Sequence, residues 1–84
     1  MTSKSQLKVL GTEATVTTAN AFGGKQVIRV YNQNPSDVLI TIANGGGTTT
    51  GTITVKAGET IFIQKTPAET IAAATGCKMV AVGY

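Results

Sequence analysis

The 84-residue sequence contains no histidine and no tryptophan, a single cysteine, two prolines and four carboxylates. Each shortage removes a class of chemistry. Without histidine, the commonest general base and the commonest metal ligand are missing. Cys77 alone can form neither an internal disulfide nor a cysteine-rich zinc site, and it lacks the activating partner of a catalytic thiolate. The carboxylates Glu13, Asp37, Glu59 and Glu69 are scattered, and turn or edge roles suit them better than a glycosidase-like pair. No window approaches the ~18 apolar residues of a membrane-spanning helix. The start, Met1-Thr2-Ser3-Lys4-Ser5-Gln6, is followed by no apolar run of the kind a secretory leader needs. The sequon-like triplet Asn34-Pro35-Ser36 is spoiled by its proline. The expectation is a non-enzymatic protein with no cofactor, no metal and no membrane partner.

What is abundant points to strands. There are 15 Thr, 8 Val and 7 Ile against 3 Leu. Branched side chains pack well on a pleated surface and lose rotamer freedom in helices. Gly and Asn clusters interrupt the chain at short intervals. Alternation predicts strands over 6–10, 14–19, 26–32, 37–44, 52–56, 60–65 and 78–84. Residues 37–65 read as a three-strand meander, with Ala57-Gly58-Glu59 as a tight hairpin turn. Val38, Ile40, Ile42, Ile53, Val55, Ile61 and Ile63 share parity within their strands and form the predicted core. Thr66-Pro67-Ala68-Glu69 has the form of a capping box with Pro at the first helical position, so a helical turn is predicted over 70–74, ended by Gly76. The expected fold is therefore all-β: one domain over 1–84, a small antiparallel sandwich or barrel of about seven short strands with one short helical turn before the last strand. A chain of this size buries only roughly 60% of its unfolded surface and gains modest stability alone.

Three groups of residues stand out. The tip Gly45-Gly46-Gly47-Thr48 lies in a Gly/Thr-rich stretch, but no Lys follows Gly51 and a strand follows in place of a helix, so a phosphate loop is disfavoured. A hairpin tip, or one that touches a neighbouring subunit, fits better. Lys65 and Glu69 flank the capping box and suggest a salt bridge pinning a structural corner of Lys65, Thr66, Pro67 and Glu69. Tyr31, Leu39, Phe62 and Val27 lie on the strand faces opposite the inward set, and apolar residues left outside mark contact surfaces. With the tip, Leu7 and Lys8, they are the candidate interface residues. Seven Lys/Arg against four Asp/Glu give a net charge of +3. The cations are dispersed and only Arg29 and Tyr31 pair a cation with an aromatic, so single-stranded nucleic acid is disfavoured and an acidic protein surface fits better.

The run from Phe62 to Ala73, with Ile28-Arg29-Val30-Tyr31-Asn32, the 44–51 tip, Ala57-Gly58-Glu59-Thr60 and the closing strand 78–84, resembles a group of very small structural proteins of tailed bacteriophages, especially cyanophages. The likeness covers roughly residues 26–84. It implies a virion component assembled in the host cytoplasm: a capsid decoration (cement) protein that binds and stabilises the head lattice. Its expected partners are the major capsid protein or another virion protein, with many copies per particle or a homo-oligomer. The alternative is a neck, fibre or knob module that binds a host receptor or carbohydrate. No functional residues transfer from the likeness, because the shared pattern consists of corners that determine the fold.

Overall fold

In the computed structural model, residues 8–83 are described. They form an all-β fold of two antiparallel sheets. The strands are β1 (Lys8–Val9), β2 (Ala14–Val16), β3 (Val27–Tyr31), β4 (Val38–Ala43), β5 (Thr49–Val55), β6 (Thr60–Gln64), β7 (Thr70–Ala73) and β8 (Cys77–Gly83). The larger sheet runs β1-β8-β3-β6, with β2 also on β8; the smaller runs β5-β4-β7. Among the described residues one 3-10 turn, Phe22–Gly24, precedes β3.

Period-two alternation places the core between the sheets. Ile28 and Val30 of β3, Val38 and Ile40 of β4, Val55 of β5, Ile71 and Ala73 of β7, and Cys77, Met79 and Ala81 of β8 form one cluster with Val16. Full burial of each large aliphatic side chain contributes about 1.5–3 kcal/mol. Strand β8 is central in the larger sheet, and Val80 and Val82, on its other face, are buried as well. Of the core expected from sequence, Val38, Ile40 and Val55 are buried, while Ile42, Ile61 and Ile63 are half-buried against the cluster. Ile53 departs from the expectation: it is 47% exposed. Its parity is inward, but β5 is the edge of the smaller sheet and little of the larger sheet covers it.

Two local predictions are corrected. The segment after Pro67 is a strand, not a helix. Glu69 N donates to Thr66 O at 3.1 Å, which closes a turn with Pro67 in its second position, and the chain then enters β7. Thr70 and Ile71 pair with Ala43 and Ile42. Without β7, β4 would lack its second neighbour and Ile71 its burial, and these gains exceed the helix propensity of Ala72-Ala73-Ala74, which is high per residue but small in total over three residues. Gly76 consequently does not cap a helix. It lets the chain pass β2 closely, since a Cβ there would lie 2.6 Å from Thr15 Cγ2.

The second correction concerns the meander. Strands β4 and β5 form a hairpin, but β6 crosses to the larger sheet and pairs with β3. The turn before it, closed by Glu59 N to Lys56 O at 2.9 Å with Gly58 at φ 77°, is an arch between sheets.

The two sides of the sandwich differ. On one, the chain after β2 meets β7: Asn20 and Ile71 exchange backbone hydrogen bonds of 3.0 Å, and Ala73 N donates to Thr17 O at 3.3 Å. On the other, β5 and β6 are the terminal strands of their sheets, and no ladder joins them among the described residues. The fold is thus a barrel opened along one seam, and Ile53, Ile61 and Ile63 sit beside that seam.

Candidate functional site

The outer face of the larger sheet follows from its register. Phe62, Arg29 and Val80 form one cross-strand row; Thr60, Tyr31, Lys78 and Thr15 form the next; Gln64, Val27, Val82 and Val9 form a third. Phe62 is 54% and Val9 66% exposed, while Tyr31 and Val27 are half-buried. The Arg29 guanidinium donates to Glu13 at 3.0 Å across this surface. Such a surface pair contributes about 0–1 kcal/mol. Its larger effect here is to neutralise the positive charge beside Phe62.

Leu39 lies elsewhere. It belongs to β4, whose outer face carries Leu39, Thr41 and Ala43 beside Thr54, Thr52 and Thr49 of β5. Leu39 is 44% exposed. The apolar set expected on one face is therefore divided: Leu39 lies on one outside of the sandwich, and Tyr31, Phe62 and Val27 lie on the other. The cause is the crossing of β6, which moves Phe62 to the sheet opposite Leu39.

The tip and the corner come together at one end. Strand β5 begins at Thr49, so the tip is shorter than its composition suggests. Asn44 ties it down: Oδ1 accepts from Gly46 N at 2.9 Å and Thr48 N at 3.0 Å, and Asn44 N donates to Thr48 O at 2.8 Å. A Cβ on Gly45 would lie 3.6 Å from Ala68 O, and one on Gly24 would lie 3.7 Å from Pro67 Cβ. The corner is thus held between the 3-10 turn and the tip. Lys8 is exposed in β1 opposite Gly83. Leu7 lies outside the described residues.

Within the corner the expected Lys65–Glu69 salt bridge does not form. The Arg29–Glu13 contact is the only ion pair within 4.0 Å among the described residues. Glu69 reaches back to Thr66 N at 2.8 Å, as a capping box requires, and accepts from Thr50 Oγ1 at 3.0 Å. The Thr66 N–H, then the Thr50 hydroxyl, hold its carboxyl below the ordinary range. Lys65 is 3% exposed, and its Nζ donates to Thr66 O at 3.3 Å. Burial depresses its pKa, an effect partly opposed by the charge of Glu69.

All four carboxylates are engaged. Besides Glu13 and Glu69, Asp37 accepts from Ala57 N at 3.2 Å and Glu59 from Lys56 N at 2.9 Å. Lys8, Lys25, Lys56 and Lys78 make no ion pair among the described residues. Asp37, Glu59 and Glu69 make none either, so the excess positive charge is that of the composition, six Lys/Arg against four Asp/Glu among the described residues. Cys77 is fully buried, and desolvation pushes its thiol pKa up, the opposite of nucleophilic activation.

The residue that sequence reasoning missed is Asn32, read as the polar last residue of the 26–32 strand but fully buried. Its Nδ2 donates to Ser36 O and Val55 O, both at 2.9 Å, and its Oδ1 accepts from Asn34 N and Asn34 Nδ2, both at 2.9 Å. Its backbone holds the arch through Asn32 N to Glu59 O and Gly58 N to Asn32 O. One side chain thereby joins the end of a strand in one sheet to the end of a strand in the other. Locally the sequence shows only an Asn before Gln33-Asn34-Pro35, which looks like any turn.

No family model, no curated protein and no solved structure matches this chain.

Proposed function

We propose that this chain is a non-enzymatic structural protein of a tailed-bacteriophage virion, a capsid decoration module that binds the major capsid protein or another virion protein in many copies. The observation that carries the reading is the division of the exposed apolar residues. Phe62, 54% exposed, and Leu39, 44% exposed, lie on opposite outsides of a body only 20 Å across its shortest axis. A two-sided module can touch two neighbours at once, and repeated weak contacts across a lattice add by avidity. The excess positive charge favours an acidic partner surface and would steer association to it. The virion setting itself rests on the sequence resemblance.

The test is reconstitution. Purified protein is added to phage heads assembled without it, and the heads are pelleted and then heated. Binding is expected, with heads surviving a higher temperature. Leu39→Ser and Phe62→Ser are each expected to cost most of the head stabilisation, because a bridge fails when either end is lost. Protein that stays in the supernatant while retaining bacterial surface glycans would refute the decoration role and favour the fibre or knob alternative.

A further inference from the structure

Strand β6 leaves one edge unpaired. Its ladder with β3 is bracketed by Asn32 N to Glu59 O at 3.0 Å and Lys65 N to Gln26 O at 2.7 Å. In an antiparallel pair alternate residues face the partner, so Ile61 and Ile63 direct their backbone groups to β3. Thr60, Phe62 and Gln64 therefore direct theirs to the open seam. Soluble sheets guard such edges with lysine, proline, a bulge or a covering element. Thr60-Ile61-Phe62-Ile63-Gln64 has no charge and no proline, and its ladder has no register shift. Among the described residues no strand pairs beyond it. The edge of the smaller sheet on this seam, β5, does carry an irregularity, between Ile42 and Ala43 in its ladder with β4.

The strand is also symmetrical in kind about its middle residue: polar, Ile, Phe, Ile, polar. We propose that β6 pairs antiparallel with β6 of a second copy of this chain, about a two-fold axis at Phe62. In that register Phe62 meets Phe62, Ile61 meets Ile63, and Thr60 meets Gln64. The three residues whose backbone groups are free are the three that exchange hydrogen bonds. Just beyond the strand ends, Glu59 falls opposite the buried Lys65 of the second copy at both ends, so no like charges oppose each other across the junction. The two five-stranded sheets become one continuous sheet. The axis stands perpendicular to it, so the β5 edges of the two copies face each other beneath and cover Ile53. A contact this short lies at the low end of the ~1,200 Å² that stable complexes bury, so the dimer forms with rising concentration. The inference does not depend on the virion reading.

Purified protein alone tests it, by sedimentation equilibrium from about 10 µM to 1 mM, with folding of every variant checked by circular dichroism. The wild type is expected to reach dimer. Thr60→Lys/Gln64→Lys sets Lys against Lys at both ends and is expected to weaken self-association about tenfold or more, while Thr60→Lys/Gln64→Glu restores it. The exact register has its own readout. Facing residues of a hydrogen-bonded antiparallel pair lie about 5.5 Å apart at Cα, within disulfide reach. Phe62→Cys is expected to cross-link to itself on oxidation, whereas Thr60→Cys cross-links only to Gln64→Cys. Cys77, fully buried, stays out of the reaction. A wild type that remains monomeric at millimolar concentration overturns the proposal. So does a dimer indifferent to both double variants, or a Thr60→Cys protein that cross-links to itself.

Discussion

Asn32 is the position where one truncation should do the most damage for its size. Asn32→Ala removes two donors and one acceptor from a fully buried site. The carbonyls of Ser36 and Val55 lose a donor, and Asn34 N loses its acceptor. Each buried polar group left unpaired costs about 1–3 kcal/mol, although relaxation and water entry recover part of it, so the sum is about 2–4 kcal/mol. A domain of this length has roughly 4–13 kcal/mol in total, at about 0.05–0.15 kcal/mol per residue. At about 4–8 °C per kcal/mol, the expected fall in Tm is about 10–30 °C. Thermal and urea melts followed by circular dichroism measure it, and native-state hydrogen exchange should show faster exchange at Asn34, Gly58 and Glu59. Asn32→Asp is expected to be worse near neutral pH, because a buried carboxylate would face the Ser36 and Val55 carbonyls. Those contacts raise its folded pKa above the unfolded value, so the deficit shrinks as the pH falls and the group is protonated. A loss below about 1 kcal/mol for Asn32→Ala would refute the claim that this side chain joins the sheets.

Further outcomes are expected. Ile71→Ala should cost about 2–5 kcal/mol in urea melts, because Ile71 is fully buried in β7. Glu69 has a folded pKa below its ordinary 4.5, so its stabilising contribution is present above that value and is lost as pH falls through the folded pKa; Glu69→Gln should remove this acid dependence from the urea midpoint. Lys65 has a folded pKa below its ordinary 10.5, so between the two values the unfolded chain binds more protons and stability rises with pH; Lys65→Met should abolish that alkaline rise. Cys77 should react with a thiol reagent only at the rate of unfolding, and prompt labelling of the native protein would contradict its burial.

Composition and alternation alone determined the all-β class and most of the strands, because β-branched residues at period two leave few alternatives to a pleated, half-buried surface. The faces of β3 and β4 could be read directly, since each strand's parity is a local property; in β8, where Met79 and Ala81 oppose Val80 and Val82, both faces are apolar and buried and parity does not choose between them. What a strand pairs with is not local. The Ala57-Gly58-Glu59 turn has the same residues whether it closes a hairpin or arches between sheets. Asn32, 23 residues from the Val55 carbonyl it binds, helps hold the arch. That single crossing exposed Ile53, separated Leu39 from Phe62, and opened the seam beside β6. The segment after Pro67 teaches the same lesson at short range: the capping-box contact from Glu69 to Thr66 formed as its residues dictate. The vacant edge of β4, visible only in three dimensions, then drew Thr70–Ala73 into a strand, because ladder hydrogen bonds and the burial of Ile71 outweigh the helix propensity of three alanines.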